Sequence, residues 1–149
     1  MTRRAGGGDV LGIALTPASI TAAGASVPTV WQGDLELHGG ANGSRDALAG
    51  ALRDAARASG ASTPALVVAL LPPLAETRTV TMPALREEER NLFLVRNAAR
   101  YFVGARGPQV VGTREVGGPP PKGGAPRPVL ATTTPQQLVH AVQGAAGDA

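Results

Sequence analysis

The sequence has no cysteine and few aromatic residues: aromatics make up 3% of 149 residues, and Trp31 is the only tryptophan. Without cysteine the chain has neither disulfides nor thiolate metal sites. The two histidines, His38 and His140, lie far apart without a carboxylate partner at ligand spacing. We therefore expect no metal site, and we expect a core built from small side chains.

Long apolar runs are also missing, since none approaches the roughly 18 residues that span a bilayer. The N-terminal stretch MTRRAGGGDVLG lacks the apolar segment and the small-residue cleavage site of a signal peptide. We expect a cytoplasmic protein with no transmembrane segment of its own.

The charge balance is basic, with a net charge of +3 and a pI near 10.5, and Lys122 is the only lysine. A basic excess is compatible with nucleic acid, anionic lipid headgroups or an acidic protein patch as partner. The alternative is codon composition, because Ala, Gly, Pro and Arg are abundant together.

The first half of the sequence predicts three strands, a helix and a further strand. The apolar run at 10–15 indicates a strand buried on both faces. Alternation in the third strand places Trp31 in the core rather than at an interface, and Gly33 interrupts that apolar series. Ser44 is a suitable N-cap and Gly60 a suitable C-terminal glycine for the helix. The expected strands are 10–15, 20–25, 30–37 and 65–71, and the expected helix is 45–59, after a loop at 38–44.

The second half predicts a strand, a helix, two strands and a final helix. Thr134, Pro135 and Gln137 form a capping box at the start of the last helix, whose apolar face is Leu138, Val139 and Val142. The Pro/Gly-rich loop at 117–127 has no capacity for regular structure; it is either a plain connector or an arm that orders on a partner. The expected strands are 76–82, 109–116 and 128–132, and the other helix is about 85–102.

The helix at 85–102 carries the candidate binding site. At 100° per residue, an inward face forms from Leu85, Leu92, Val95, Ala99 and Phe102. On the opposite side, four arginines surround an aromatic ring, and such a set can dock on carboxylates, phosphates or aromatic groups. The alternative is a solvated face whose arginines pair with glutamates of the same helix. The candidate partner-binding residues are Arg86, Arg90, Phe93, Arg96 and Arg100.

Two stretches carry a family resemblance. LGIALTPASITA (11–22) looks like the first hairpin of actin-like ATPases. VVALLPPLAETRTVTMPALREEERNLFLVRNAARYF (67–102) resembles PilM, the actin-like protein of type IV pilus machines; GspL of type II secretion and FtsA of cell division are more distant. In that family a strand-helix-strand-strand insert interrupts the first subdomain.

The resemblance implies an α/β (α+β) fold in two parts. After a flexible N-terminus at 1–8, residues 9–73 form a βββαβ part of an actin-like subdomain. Residues 74–149 form a βαββα insert-like subdomain. The resemblance also implies that the sequence matches only the N-terminal part of such proteins, without the second lobe that supplies a phosphate loop and the adenosine pocket.

The nucleotide chemistry of the family is not matched. Family members open with an Asp that works at the metal and phosphates, followed by a Gly; here the same register has Ala14 and Thr16. A methyl group cannot replace the oxygen ligand that Mg²⁺ needs. Lys122 stands among prolines and not in a P-loop pattern. We therefore expect no enzymatic activity and no cofactor.

These observations lead to three functional hypotheses. The first is a non-catalytic adaptor that binds a protein subunit of an inner-membrane assembly at its cytoplasmic face, as the resemblance implies. The alternative is a residual nucleotide- or phosphate-binding protein that completes its site with a second chain, with Thr16 and Ser19 as donors rather than ordinary turn residues. A nucleic-acid-binding domain is the third, and it is not expected because stacking aromatics are scarce.

Overall fold

The computed structural model describes residues 10–24, 30–37, 40–60, 65–118 and 123–148. The predicted N-terminus at 1–8, His38 and residues 119–122 of the Pro/Gly loop lie outside these ranges. The described residues form two compact units, one of residues up to 74 together with 140 onward, the other of residues 75–139. Both units contain a sheet with helices, so the predicted α+β class is confirmed.

The first unit contains a four-stranded sheet in the order β3-β2-β1-β4. Strands β1 and β4 are parallel, and the other neighbours are antiparallel. Two apolar runs meet in the parallel pair of β1 and the edge strand β4, with Ile13 opposite Val68. The elements are β1 (Val10–Leu15), β2 (Ser19–Gly24), β3 (Val30–Asp34), α1 (Gly40–Ser59) and β4 (Ala65–Leu70).

The core of this unit lies on one face of the sheet. Leu11, Ile13 and Leu15 are buried together with apolar residues of α1 and of the final helix. On the opposite face Ala14 is only partly buried and Val67 is 61% exposed. The prediction that β1 is buried on both faces was therefore wrong, because the helices of this unit pack against only one face.

The ends of α1 differ in how well the sequence predicted them. The helix begins at Gly40 and not at 45, so Ser44 lies inside the helix instead of at its N-cap, and the predicted loop is shorter. The C-terminal end is confirmed: Gly60 has φ +68°, and its N–H donates to the carbonyl oxygen of Arg57. Only glycine adopts that left-handed conformation at little cost.

The second unit contains an antiparallel sheet in the order β5-β7-β6, with helices packed on it. Its core contains Met82 of β5, Leu94 and Phe102 from the helical segment, and Val129 of β7. The elements are β5 (Glu76–Met82), α2 (Glu87–Arg96), α3 (Ala98–Tyr101), β6 (Gln109–Glu115) and β7 (Arg127–Pro135).

The final helix, α4 (Gln136–Asp148), begins after Pro135 and not at it. Pairing of β7 with β6 continues to the last residues of the strand, where Thr134 lies opposite Val110. Thr134 and Pro135 are therefore extended. The predicted position of the capping box was wrong. The buried residues of α4 are Ala141 and Ala145. From residue 140 the helix groups with the first unit, whereas the sequence interpretation assigned all of 74–149 to the second part.

Candidate partner-binding surface

The predicted helix at 85–102 is two helices separated by Asn97. Three glutamates occupy the first turn of α2, and the carboxylate of Glu89 accepts a hydrogen bond from the N–H of Arg86 at 2.9 Å. Asn97 has φ −117°, and its side-chain amide donates to the carbonyl oxygen of Phe93 at 2.8 Å. The backbone N–H of Asn97 still donates to the carbonyl oxygens of Phe93 and Leu94, both at 3.2 Å. The helix α2 ends at Arg96, and α3 begins at Ala98.

The inward face of this segment differs from the predicted one. Arg90, Leu94, Ala98 and Phe102 are buried, at a spacing of four residues. Leu92, which the periodicity placed inside, is 51% exposed. Grouping residues by hydropathy missed this register because it assigned every arginine to solvent.

The five predicted partner-binding residues fall into two places. Arg86, Arg96 and Arg100 are exposed and Phe93 is 40% exposed, as predicted. Arg90 is only 4% exposed, so its predicted place on the solvent-facing side was wrong. Arg86 and Arg90 line one cavity near the N-terminal end of α2. Phe93, Arg96 and Arg100 follow later in the sequence and do not line that cavity.

We define the α2 outer surface as the exposed side chains of Leu92, Phe93, Val95 and Arg96 on α2 together with that of Arg100 on α3. The rings of Phe93 and Tyr101 contact each other at 6.0 Å between centroids, tilted by 56°. Leu92 and Val95 were not predicted to belong to this surface. An exposed group of large apolar residues beside arginines is typical of a protein-binding site.

Arg90 is buried because acceptors from other elements reach it. Its Nη1 donates to the carbonyl oxygen of Leu85 at 2.8 Å and to Oε1 of Glu115 at 2.6 Å. Arg127 of β7 donates to the same oxygen of Glu115. Each of these two guanidinium groups also has a buried Nε that has no hydrogen-bond partner. One carboxylate oxygen of Glu115 therefore accepts hydrogen bonds from two largely buried guanidinium groups.

A cavity of about 560 Å³ lies beside this cluster. The backbone of α2 and strands β6 and β7 bring its lining together, and Ala84 and Leu85 give it an apolar side. Of the lining residues, only Arg86 and Arg90 were predicted site residues. We call it the arginine cavity; its charged lining residues are Arg86, Glu87, Arg90, Arg114, Glu115 and Arg127.

Glu76 is the acidic residue that organises another part of the second unit. Its carboxylate accepts hydrogen bonds from the N–H groups of Gly104 at 2.9 Å and Val103 at 3.1 Å, and from Arg78. These bonds, the Gly104 one foremost, hold the pKa of Glu76 below its ordinary value of 4.5. The residue thus joins the start of β5 to the turn after α3.

The turn between β1 and β2 is closed by its own residues. The hydroxyl of Thr16 accepts the N–H of Ser19 at 2.9 Å and that of Ala18 at 3.3 Å, and it contacts the Ser19 hydroxyl at 2.8 Å. The Thr16 hydroxyl also lies 3.3 Å from the Ser19 carbonyl oxygen, to which it can donate, so both hydroxyl groups have partners within the turn. Elsewhere in the described ranges, no group of three or more His, Asp or Glu is placed to hold a metal ion. No described helix is long and apolar enough to cross a membrane.

Comparison with solved structures identifies the fold. A chain of the PilM–PilN type IV pilus biogenesis complex matches 93% of this chain with a TM-score of 0.66 and 17% identity. The cytoplasmic domain of EpsL, an inner-membrane component of the type II secretion system of Vibrio cholerae, matches 93% with a TM-score of 0.53 and 13% identity. No family model and no curated protein matches. The chain spans about half of each matched structure, 44% and 52%.

Proposed function

We propose that this chain is a non-catalytic adaptor that binds a protein subunit of a pilus- or secretion-type assembly at the cytoplasmic face of the inner membrane. The observation that carries the proposal is the fold shared over 93% of the chain with components of two such machines. Because a fold alone does not determine function, the proposal also needs a binding surface and a reason to set catalysis aside.

The α2 outer surface supplies the binding surface. Aromatic residues and arginine are enriched at protein interfaces, and here Phe93, Arg96 and Arg100 are exposed on α2 and α3 together with Leu92 and Val95. Apolar residues gain free energy when a partner covers them, at about 25 cal/mol per Å² of apolar area removed from water. We assign the partner contact to Phe93, Arg96 and Arg100.

The non-catalytic part of the proposal is supported by the hairpin of β1 and β2. Ala14 occupies the position where the related ATPases carry the acid, and a methyl group is not a ligand for Mg²⁺. The hydroxyl groups of Thr16 and Ser19 bond to each other and to the turn's own backbone. The second candidate, a residual nucleotide-binding protein, predicts calorimetric binding of Mg-ATP with micromolar affinity, and that result would overturn the adaptor proposal.

The adaptor proposal is tested by capture from native membranes. Purified full chain is immobilised, incubated with detergent-solubilised membranes of the source organism, and the captured proteins are identified. We expect a membrane protein with a cytoplasmic tail. Synthetic peptides covering that tail are then titrated against the chain by fluorescence anisotropy.

The variants localise the contact. Phe93→Ser combined with Arg100→Ser should weaken peptide binding at least tenfold, because both residues are exposed on the α2 outer surface. Arg53→Ser with Arg57→Ser is the control for lost positive charge, since both arginines are exposed on α1 in the other unit. Unchanged binding by the first variant, or equal loss in the control, would contradict the assignment of this surface. Retention of the chain on anionic vesicles alone, with no protein captured, would contradict the adaptor function.

A further inference from the structure

We propose that the arginine cavity binds a carboxylate group of a partner polypeptide, from an aspartate or glutamate side chain. The inference deepens the proposed function, because it rests on a protein partner as the source of the carboxylate. The arginine cavity would thus be a second contact site for the partner, on the same unit as the α2 outer surface.

The charges around the cavity are unbalanced. Four arginines and two glutamates line it, an excess of two positive charges. Arg90 and Arg127 share a single carboxylate oxygen of Glu115, and among the described residues Arg86 and Arg114 form no ion pair. An anion that enters this site meets Arg90 of α2 and Arg127 of β7, with Arg86 and Arg114 also in the lining. Arginine binds planar oxyanions through two parallel hydrogen bonds.

The cluster is also incompletely satisfied. The Nε atoms of both Arg90 and Arg127 are buried without a hydrogen-bond partner. A buried donor without an acceptor destabilises the fold, most of all when the group is charged. A second carboxylate beside Glu115 would stabilise these two cations electrostatically, and it would allow their guanidinium groups to redistribute bonds that now converge on one oxygen.

The size and lining of the cavity favour a side chain over a free ion. Its volume is about 560 Å³ and it is wide open to solvent, so a side chain presented by another polypeptide can reach the arginines. Ala84 and Leu85 form an apolar part of the lining. A carboxylate carried on methylene groups fits both properties, since its stem contacts the apolar side while its oxygens face the arginines.

The test uses a matched pair of probes, N-acetylglutamate N-methylamide and its glutamine counterpart, which differ only in the charged group. Each is titrated into the full chain labelled with ¹⁵N, and the side-chain Nε–H resonances of Arg90 and Arg127 are followed. We expect saturable shifts of both resonances with the glutamate probe and none with the glutamine probe. Arg86→Ser combined with Arg114→Ser should weaken the binding at least tenfold, and Arg53→Ser with Arg57→Ser, which removes the same charge, should leave it unchanged.

Several results would overturn the inference. These are equal shifts with both probes, wild-type binding by the Arg86 and Arg114 variant, or equal loss in the control. Co-sedimentation with phosphatidylglycerol vesicles that depends on Arg86 and Arg114, without any glutamate-probe shift, would assign the cavity to a lipid phosphate instead. Membrane-partner capture without probe binding overturns only the cavity assignment. Probe binding without partner capture overturns the adaptor function and, with it, the protein origin of the carboxylate, while the cavity remains a carboxylate site.

Discussion

Replacement of Arg90 by glutamate should strongly destabilise the second unit. The change removes the donor to the Leu85 carbonyl and the cation whose Nη1 lies 2.6 Å from Glu115 Oε1, and it buries a second negative charge in the same region. Breaking a buried ion pair by removal of one partner costs about 3–5 kcal/mol. Whole domains are stable by only about 5–15 kcal/mol, so this one change consumes a large part of the folding free energy.

Arg100→Glu is the matched control. It makes the same change of charge in the neighbouring helix α3, but the side chain of Arg100 is exposed. Substitutions of that kind usually change the free energy of unfolding by less than about 0.5 kcal/mol. Arg90→Met separates charge from packing: it keeps an unbranched stem in the core, and Glu115 remains paired with Arg127. We therefore expect a loss smaller than that of Arg90→Glu.

Thermal unfolding followed by circular dichroism measures the three variants against the wild type. For a chain of this size each kcal/mol shifts the Tm by about 2–4 °C, so Arg90→Glu should lower the Tm by about 6–20 °C. Urea unfolding provides the corresponding free energy. If Arg90→Glu and Arg100→Glu melt at the same temperature within error, Arg90 is not the buried, paired residue described above.

Three further predictions concern other parts of the fold. Arg86→Ser should raise the free energy of unfolding by about 0.5–1 kcal/mol, because serine at the N-cap completes a capping box with the glutamate three residues on; a lower Tm would refute this. Glu76 has its pKa lowered by the N–H of Gly104, so it stabilises the folded state above its ordinary pKa and this contribution is lost as the pH falls through the folded value. The stability difference between wild type and Glu76→Gln should therefore shrink as the pH is lowered from about 6 to about 3, and a constant difference in urea midpoints would contradict the assignment. Gly33→Ala places a Cβ 2.5 Å from the edge of the Trp31 ring, so the half-buried indole must move and we expect a shift of tryptophan emission; unchanged emission would show that the indole does not cover Gly33.

Local chemistry determined the elements whose signals lie within a few residues. The strand at 76–82 is observed with the predicted bounds, and Gly60 ends α1 in the left-handed conformation that its position predicted. The turn between β1 and β2 could also be predicted from the sequence, because Thr16 and Ser19, which hydrogen-bond to each other, lie within four residues. Helix starts were less predictable: sheet pairing keeps Thr134 extended although its sequence favours a cap.

The binding features depend on partners that are distant in sequence. Arg90 is buried because Glu115, twenty-five residues later on β6, reaches its guanidinium group, with Arg127 of β7 on the same oxygen. No periodicity within α2 contains that information, since a hydropathy pattern assigns any arginine to water. For the same reason Leu92 and Val95 were expected inside and are exposed.

The sequence by itself thus determined the fold class, the order of the elements and the absence of an acid at Ala14, all of which depend on residue identity and local spacing. The tertiary structure decided which side of α2 faces the core, and it decided that Arg86, Arg114 and Arg127 line one cavity. The physical reason is that burial of a charge is permitted only where another element supplies a counter-charge and acceptors. Such an acceptor is brought into place by strand pairing across the sheet.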